Sequence, residues 1–190
     1  FDMTSFGKFE VNGDGALGLL QRVACNNVDR PVGSLVYTQF LNAHGGIESD
    51  LTVCRLATDR FRVITGTSFL SNDLEWGRQH APEDGSVEVR DITDDLACIG
   101  LWGPNAREVF DQATDNDISN DTFPYLTAQE LTVAGKPAWA QRVSYVGELG
   151  WELLLANDNA DTVWDSLLEL GQVHGIRPAG YKALDSLRME

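Results

Sequence analysis

Positive charge is what this sequence has least of. Lysine and arginine total 14 against 29 aspartates and glutamates, a formal net charge of −15. Nucleic acid and anionic membrane surfaces both require clustered Lys and Arg, so neither is expected as a partner. The acidic excess reads as a solubility device. Cysteine is scarce too: Cys25, Cys54 and Cys98 are widely spaced, with no C-x-x-C. That spacing excludes a disulfide scaffold and a zinc site. Cys54 and Cys98 lie in apolar, strand-like runs and read as buried thiols, which points to a reducing compartment, here the cytoplasm. His44, His80 and His174 are isolated, so no metal site is expected. No apolar run approaches the length of a membrane span, and no signal peptide is visible. The chain opens on Phe1, and "GYKALDSLRME" at its end reads as a helix without a stop signal. The expectation is a piece of a longer protein, continuing beyond Glu190.

Hydrophobic residues make up 43% of the 190 residues, enough for a substantial core. "GKFEVNG" alternates as a strand ending at Gly13, and "DGALGLLQRVA" follows with Ala16, Leu19, Leu20 and Val23 on one helical face. The same pair recurs as "ACIGLWG", ending at Gly103, and "PNAREVFDQA", with Pro104 at its start. Aligning Gly13 with Gly103 also aligns Ala16 with Ala106, Leu19 with Val109 and Leu20 with Phe110. A β-meander follows each pair. The first is "VYTQFLNA", "IESDLTVCRLA" and "RFRVITG"; the second is "AQELTVAG", "KPAWAQRVSYV" and, after the turn "GELG", "WELLLAN". An amphipathic helix closes each: one from Ser71, the other capped by Asn159 or Asp161 and stopped at Gly175. The prediction is an α+β fold built of duplicated strand–helix–meander–helix units, residues 1–90 and 91–190, with mostly antiparallel sheets.

Two acids sit oddly in this pattern. Strands disfavour Asp, yet Asp50 follows the His44-Gly45-Gly46 turn inside a strand. Its face, with Glu48 and Thr52, runs on to Cys54 and Leu56 and so turns apolar. A carboxylate there is costly unless partnered. Spacing alone leaves two readings open, a solvated edge position or an acid aimed into a cavity. Glu152 poses the same question after Gly147 and Gly150, and the steps Gly46 to Asp50 and Gly147 to Glu152 look like equivalent hairpins of the two copies.

Five segments in order, "DMTSFGKFEVNG", "VYTQFLNAHGGIESDLTV", "IGLWGPNAREVF", "SYVGELGWEL" and "GYKALDSLRME", carry a resemblance over nearly the whole chain. They resemble the folate-binding portion of the aminomethyltransferase family, whose type member is the T-protein of the glycine cleavage system. The version fused to flavin-dependent dimethylglycine and sarcosine dehydrogenases looks most similar. The resemblance implies tetrahydrofolate-dependent one-carbon transfer, with a methylene or aminomethyl unit accepted onto folate. The alternative it allows is a folate-binding or regulatory module of a flavin oxidase, without catalysis of its own. Asp50 matches the acid beside the folate nitrogens that supports transfer, the catalytic position. Glu152 matches the acid that pairs with the pterin N–H groups, Tyr37 an aromatic of the folate pocket, and Arg188 a basic residue of the last helix. The implied partners are folate and either a lipoyl carrier protein or a fused flavin oxidase domain. Two positions depart from the family pattern: Gly66 stands where Asn is usual, and Leu184 where T-proteins carry Arg. Both departures point toward the oxidase-fused branch. The family's third, barrel-like domain has no counterpart in these residues.

Overall fold

The computed structural model describes all of residues 1–190. The chain condenses into two compact units, Ser5–Asp94 and Phe1–Thr4 with Asp95–Glu190. The N-terminal unit runs β1 (Gly7–Asn12), α1 (Ala16–Val23), β2 (Leu35–Leu41), β3 (Ile47–Ala57), β4 (Arg60–Thr65), α2 (Leu70–His80) and β5 (Glu88–Asp91). Its strands form one antiparallel sheet in the order β2-β3-β4-β1-β5. Alternation along each strand sends Phe9, Val11, Phe40, Leu51, Val53, Phe61 and Val63 to one face, where they pack with Leu19, Leu20 and Val23 of α1 and Leu74 of α2. Each such side chain contributes about 1.5–3 kcal/mol on burial, so this layer dominates the unit's stability. One carboxylate is built into it. Asp73, in the first turn of α2, is fully buried and accepts hydrogen bonds from Ser49 Oγ at 2.8 Å and Thr65 Oγ1 at 2.5 Å, tying the helix to β3 and β4.

The C-terminal unit runs β6 (Leu96–Trp102), α3 (Ala106–Ala113), β7 (Ala128–Val133), β8 (Lys136–Gln141), β9 (Gly150–Ala156), α4 (Asn157–Gly171) and α5 (Tyr181–Leu187). Its antiparallel sheet has the order β6-β9-β8-β7. The order is that of the other unit when β6, β7, β8 and β9 stand for β1, β2, β3 and β4. The expected α+β duplication is therefore the observed architecture. Its anchor is the glycine after each leading strand: Gly13 has φ 113° and Gly103 φ 138°, conformations side chains rarely tolerate, and each carbonyl accepts the first N–H of the helix that follows. Ala16, Leu19, Leu20 and Val23 are all buried, as are Ala106, Val109, Phe110 and Ala113. Trp151, fully buried, centres the second core against Phe110 and Phe123, with the guanidinium groups of Arg107 and Arg142 5.2 and 5.9 Å from its ring. Residues 1–4 complete this unit, since Asp2 bridges Ile99 and the Met3 N–H donates to the Cys98 carbonyl at 2.9 Å.

Local expectations fail at the end of β8 and the start of α4. The strand expected over "KPAWAQRVSYV" stops at Gln141. Beyond it, the Arg142 N–H donates to Thr127, its carbonyl accepts from Leu126, and the Val143 carbonyl accepts the Trp102 indole N–H at 2.9 Å. The chain re-enters the sheet only at Gly150. The helix expected to be capped by Asn159 or Asp161 starts at Asn157, so both lie within it. Gly175 does stop it, with φ 76°, after a 3-10 turn over Gln172–His174.

Candidate functional site

Glu152 occupies the middle of β9. The register sets it opposite Gly100 of β6 and Gln141 of β8. Its neighbours Trp151 and Leu153 point into the core beneath α3 and α4, so Glu152 takes the helix-free face of the sheet. Gln141, opposite it, takes the same face. Glu152 is 7% exposed and accepts no hydrogen bond. Burial alone pushes its carboxyl up from 4.5 to about 7. Gln141 is fully buried, and both its amide oxygen and its amide nitrogen lack a partner. Buried polar groups are nearly always bonded, so an orphaned amide in register with an orphaned carboxyl marks a place built for something else.

The duplication shows how this vacancy arises. Three residues before the anchoring glycine, β1 carries Glu10, and β6 carries Gly100. Across the sheet Glu10 faces Arg62, and Gly100 faces Glu152. In the N-terminal unit this pair is a buried ion pair. Arg62 donates to Glu10 at 2.8 Å, and Arg60 adds two bonds at 2.9 Å. Burial pushes the Glu10 carboxyl up, but the hydrogen bonds from Arg60 and Arg62 outweigh it and hold the group below its ordinary value. In the C-terminal unit the facing position has no side chain. A Cβ on Gly100 would come within 2.7 Å of the Trp102 ring and 3.0 Å of the Met3 sulfur. Glu152 is therefore the register counterpart of Arg62 and not of Asp50. Asp50 lies on the second strand of its meander and Glu152 on the third, which corrects the expected hairpin equivalence.

Asp50 is exposed, on the stretch of β3 that pairs with β2 but not with β4, whose pairing begins at Leu51. Its carboxylate accepts a hydrogen bond from Gln39 Nε2 at 3.0 Å, and the Cys25 thiol lies 3.4 Å from the Gln39 Oε1. The apolar turn of its face is confined to Cys54, which is 1% exposed. Asp50 itself thus carries no burial cost, because it sits where the sheet frays open. Tyr37 pairs with Thr52 and Gln39 with Asp50, so Tyr37 and Asp50 share the helix-free face of their sheet. Tyr37 is 54% exposed.

Arg188 caps the C-terminal end of α5 and meets the phenol of Tyr145. Its guanidinium lies 4.6 Å from the Tyr145 ring centroid and donates to the hydroxyl at 2.5 Å. Leu184, the departure from Arg, is fully buried. Gly66 precedes a 3-10 turn over Thr67–Phe69, and a Cβ there would meet the Phe69 ring at 3.1 Å. No group of three or more His, Cys, Asp or Glu side chains is placed to hold a metal ion, and no helix is long and apolar enough to cross a membrane. Sequence reasoning missed Gln141. Alternation in "PAWAQ" separates it from Ala138 and Ala140, but only the register shows that it opposes Glu152.

The architecture defines an α+β domain duplicated within one chain, with a partnerless carboxyl on one helix-free sheet face. Over residues 1–190 the chain matches the GCVT N-terminal domain, and it belongs to that family, the folate-binding domain of the aminomethyltransferases. It is 35% identical over 190 residues to the mitochondrial dimethylglycine dehydrogenase of Homo sapiens, covering 100% of this chain and 22% of that protein. It is 36% identical over 191 residues to the aminomethyltransferase of Chloroherpeton thalassium, covering 100% of this chain and 52% of that protein. Among solved structures, the glycine cleavage system aminomethyltransferase T from Bartonella henselae matches with a TM-score of 0.84 at 24% identity, over 100% of this chain and 49% of that one. The chain therefore spans between about a fifth and about half of these relatives.

Proposed function

We propose that this chain is the tetrahydrofolate-binding unit of a cytoplasmic one-carbon transferase and that it places a methylene or aminomethyl unit on folate. The observation that carries the reading is Glu152, a buried carboxyl with no partner in its own protein. A pterin edge is an array of amide-like N–H donors, and a carboxylate accepts two of them in parallel. Tyr37 offers an exposed ring for stacking. Arg188, held by a phenol, keeps its positive charge available for folate's anionic tail. Tetrahydrofolate supplies the amine nitrogen that receives the one-carbon unit. Asp50, solvated and oriented by Gln39, is suited to orient that amine and to screen the charge that develops there. Likeness to dimethylglycine dehydrogenase, and Leu184 in place of Arg, favour a flavin oxidase domain as the source of the unit over a lipoyl carrier. A purely folate-binding module within such an oxidase is the second reading, favoured by the same likeness. The three free thiols suit a reducing compartment.

Calorimetric titration of tetrahydrofolate into the chain and into Glu152→Gln tests the assignment. Hydrogen bonds to a charged group contribute about 1.5–3 kcal/mol each, so the variant is expected to bind at least tenfold more weakly. Equal affinity in the two proteins would remove Glu152 from the site and the reading with it.

A further inference from the structure

We propose that Gln141 is a positioning residue for Glu152: its side-chain amide donates to the Glu152 carboxylate in its charged form, the form that a ligand with paired N–H donors holds. The inference rests on the folate reading only for the identity of the ligand. The two residues face each other across β8 and β9, at the end of a pairing that runs Trp139↔Leu154, Ala140↔Leu153, Gln141↔Glu152. Directly opposed residues of an antiparallel pair have Cβ atoms about 4.5–5.5 Å apart, and Gln and Glu side chains are equal in length, so a change of rotamer brings their polar ends together. On its far side Gln141 faces Ala128, which has no polar group, and Trp102 already gives its indole N–H to Val143. A glutamine fully buried with both amide atoms unpartnered is expensive to keep, and a methionine of the same shape would fill the space without that cost. The amide therefore has its use once the Glu152 carboxyl carries its charge.

Within its own sheet, Glu152 has few rivals for setting its charge. β6 presents Gly100, flanked on the same face by Cys98 and Trp102. β8 presents Gln141 and Trp139, and β9 itself contributes Gly150 and Leu154. Cys98 is the one titratable side chain among them, and the α-amino group of Phe1 donates to the Gly100 carbonyl at 2.8 Å. Neither bonds the carboxylate.

The test uses the full chain carrying 13C-carboxyl glutamate, with Gln141→Met alongside the parent. The Glu152 titration is followed by NMR, and tetrahydrofolate affinity is measured between pH 5.5 and 8.5. Loss of a donor to the charged form should raise the Glu152 midpoint by about one pH unit and weaken folate about tenfold at pH 7.5, with the melting temperature unchanged or higher. A merely structural glutamine would move the melting temperature and leave the midpoint alone. An unchanged midpoint overturns the proposal even if folate binds. A raised midpoint in a chain that never binds tetrahydrofolate upholds the positioning role and instead overturns the folate reading. Gln141→Asn, whose amide is one methylene further from the carboxylate, repeats the test if the Met variant does not fold.

Discussion

Replacing Glu152 by Gln should stabilise the protein, increasingly as pH rises from about 4.5 to about 7. In the folded chain burial raises this carboxyl from 4.5 to about 7, with no cation or hydrogen bond to offset the loss of water. The unfolded chain titrates near the ordinary value. Below about 4.5 both states hold the proton, and the group contributes no pH dependence. Between that value and about 7 the folded state binds more protons than the unfolded one, so stability falls as pH rises. Above about 7 both states are ionised and the cost is fully present. At about 1.4 kcal/mol per pKa unit, the raised value corresponds to about 3 kcal/mol. Glu152→Gln keeps the shape and removes the titration. The parent and variant should melt together near pH 4.5, and the variant should be about 3 kcal/mol more stable at pH 8, roughly 5–10 °C in melting temperature for a chain of this size. Depressed carboxyls such as Glu10, Asp84 and Asp117 impose the opposite slope at acid pH, but they are common to both proteins and cancel in the difference. Parallel stability–pH curves for the two proteins would show that burial imposes no net cost on the Glu152 charge, and the reasoning from its burial would fail.

Asp50→Asn should leave the melting temperature within the small range of exposed substitutions, since the Asp50 carboxylate is solvated and bonded only to Gln39. In the full-length protein, one-carbon transfer should fall by about two orders of magnitude while folate affinity changes little; normal turnover would assign Asp50 to the surface. Glu10→Ala strands Arg62 beside Arg60 with no counter-charge, and thermal melts should record a loss of about 3–5 kcal/mol. A loss below about 1 kcal/mol would mean that the buried pair behaves as a surface one.

The duplication was legible in one dimension because it is written in local signals. A glycine after an alternating strand and a helix with residues in steps of three and four repeat at the same offset, and each demands its local conformation wherever it occurs. The five family motifs are contiguous stretches as well, so membership of the family and the candidates Tyr37, Asp50, Glu152 and Arg188 could be read without coordinates. Exposure and charge state could not. Spacing left Asp50 open between a solvated edge and a cavity; it is exposed because β4 stops short of it, and strand length on a neighbour is not visible from the strand itself. Glu152 looked like Asp50's counterpart, and only pairing showed it opposite Gly100, at the place where the other unit holds Arg62 against Glu10. For Gln141, alternation gave the face but not the residue opposite it. Which residues face each other across a sheet depends on register, and a shift of one residue sends every side chain to the other face. Local sequence therefore determined the elements and their repeat, whereas the partnerless carboxyl and the amide beside it exist only through long-range pairing.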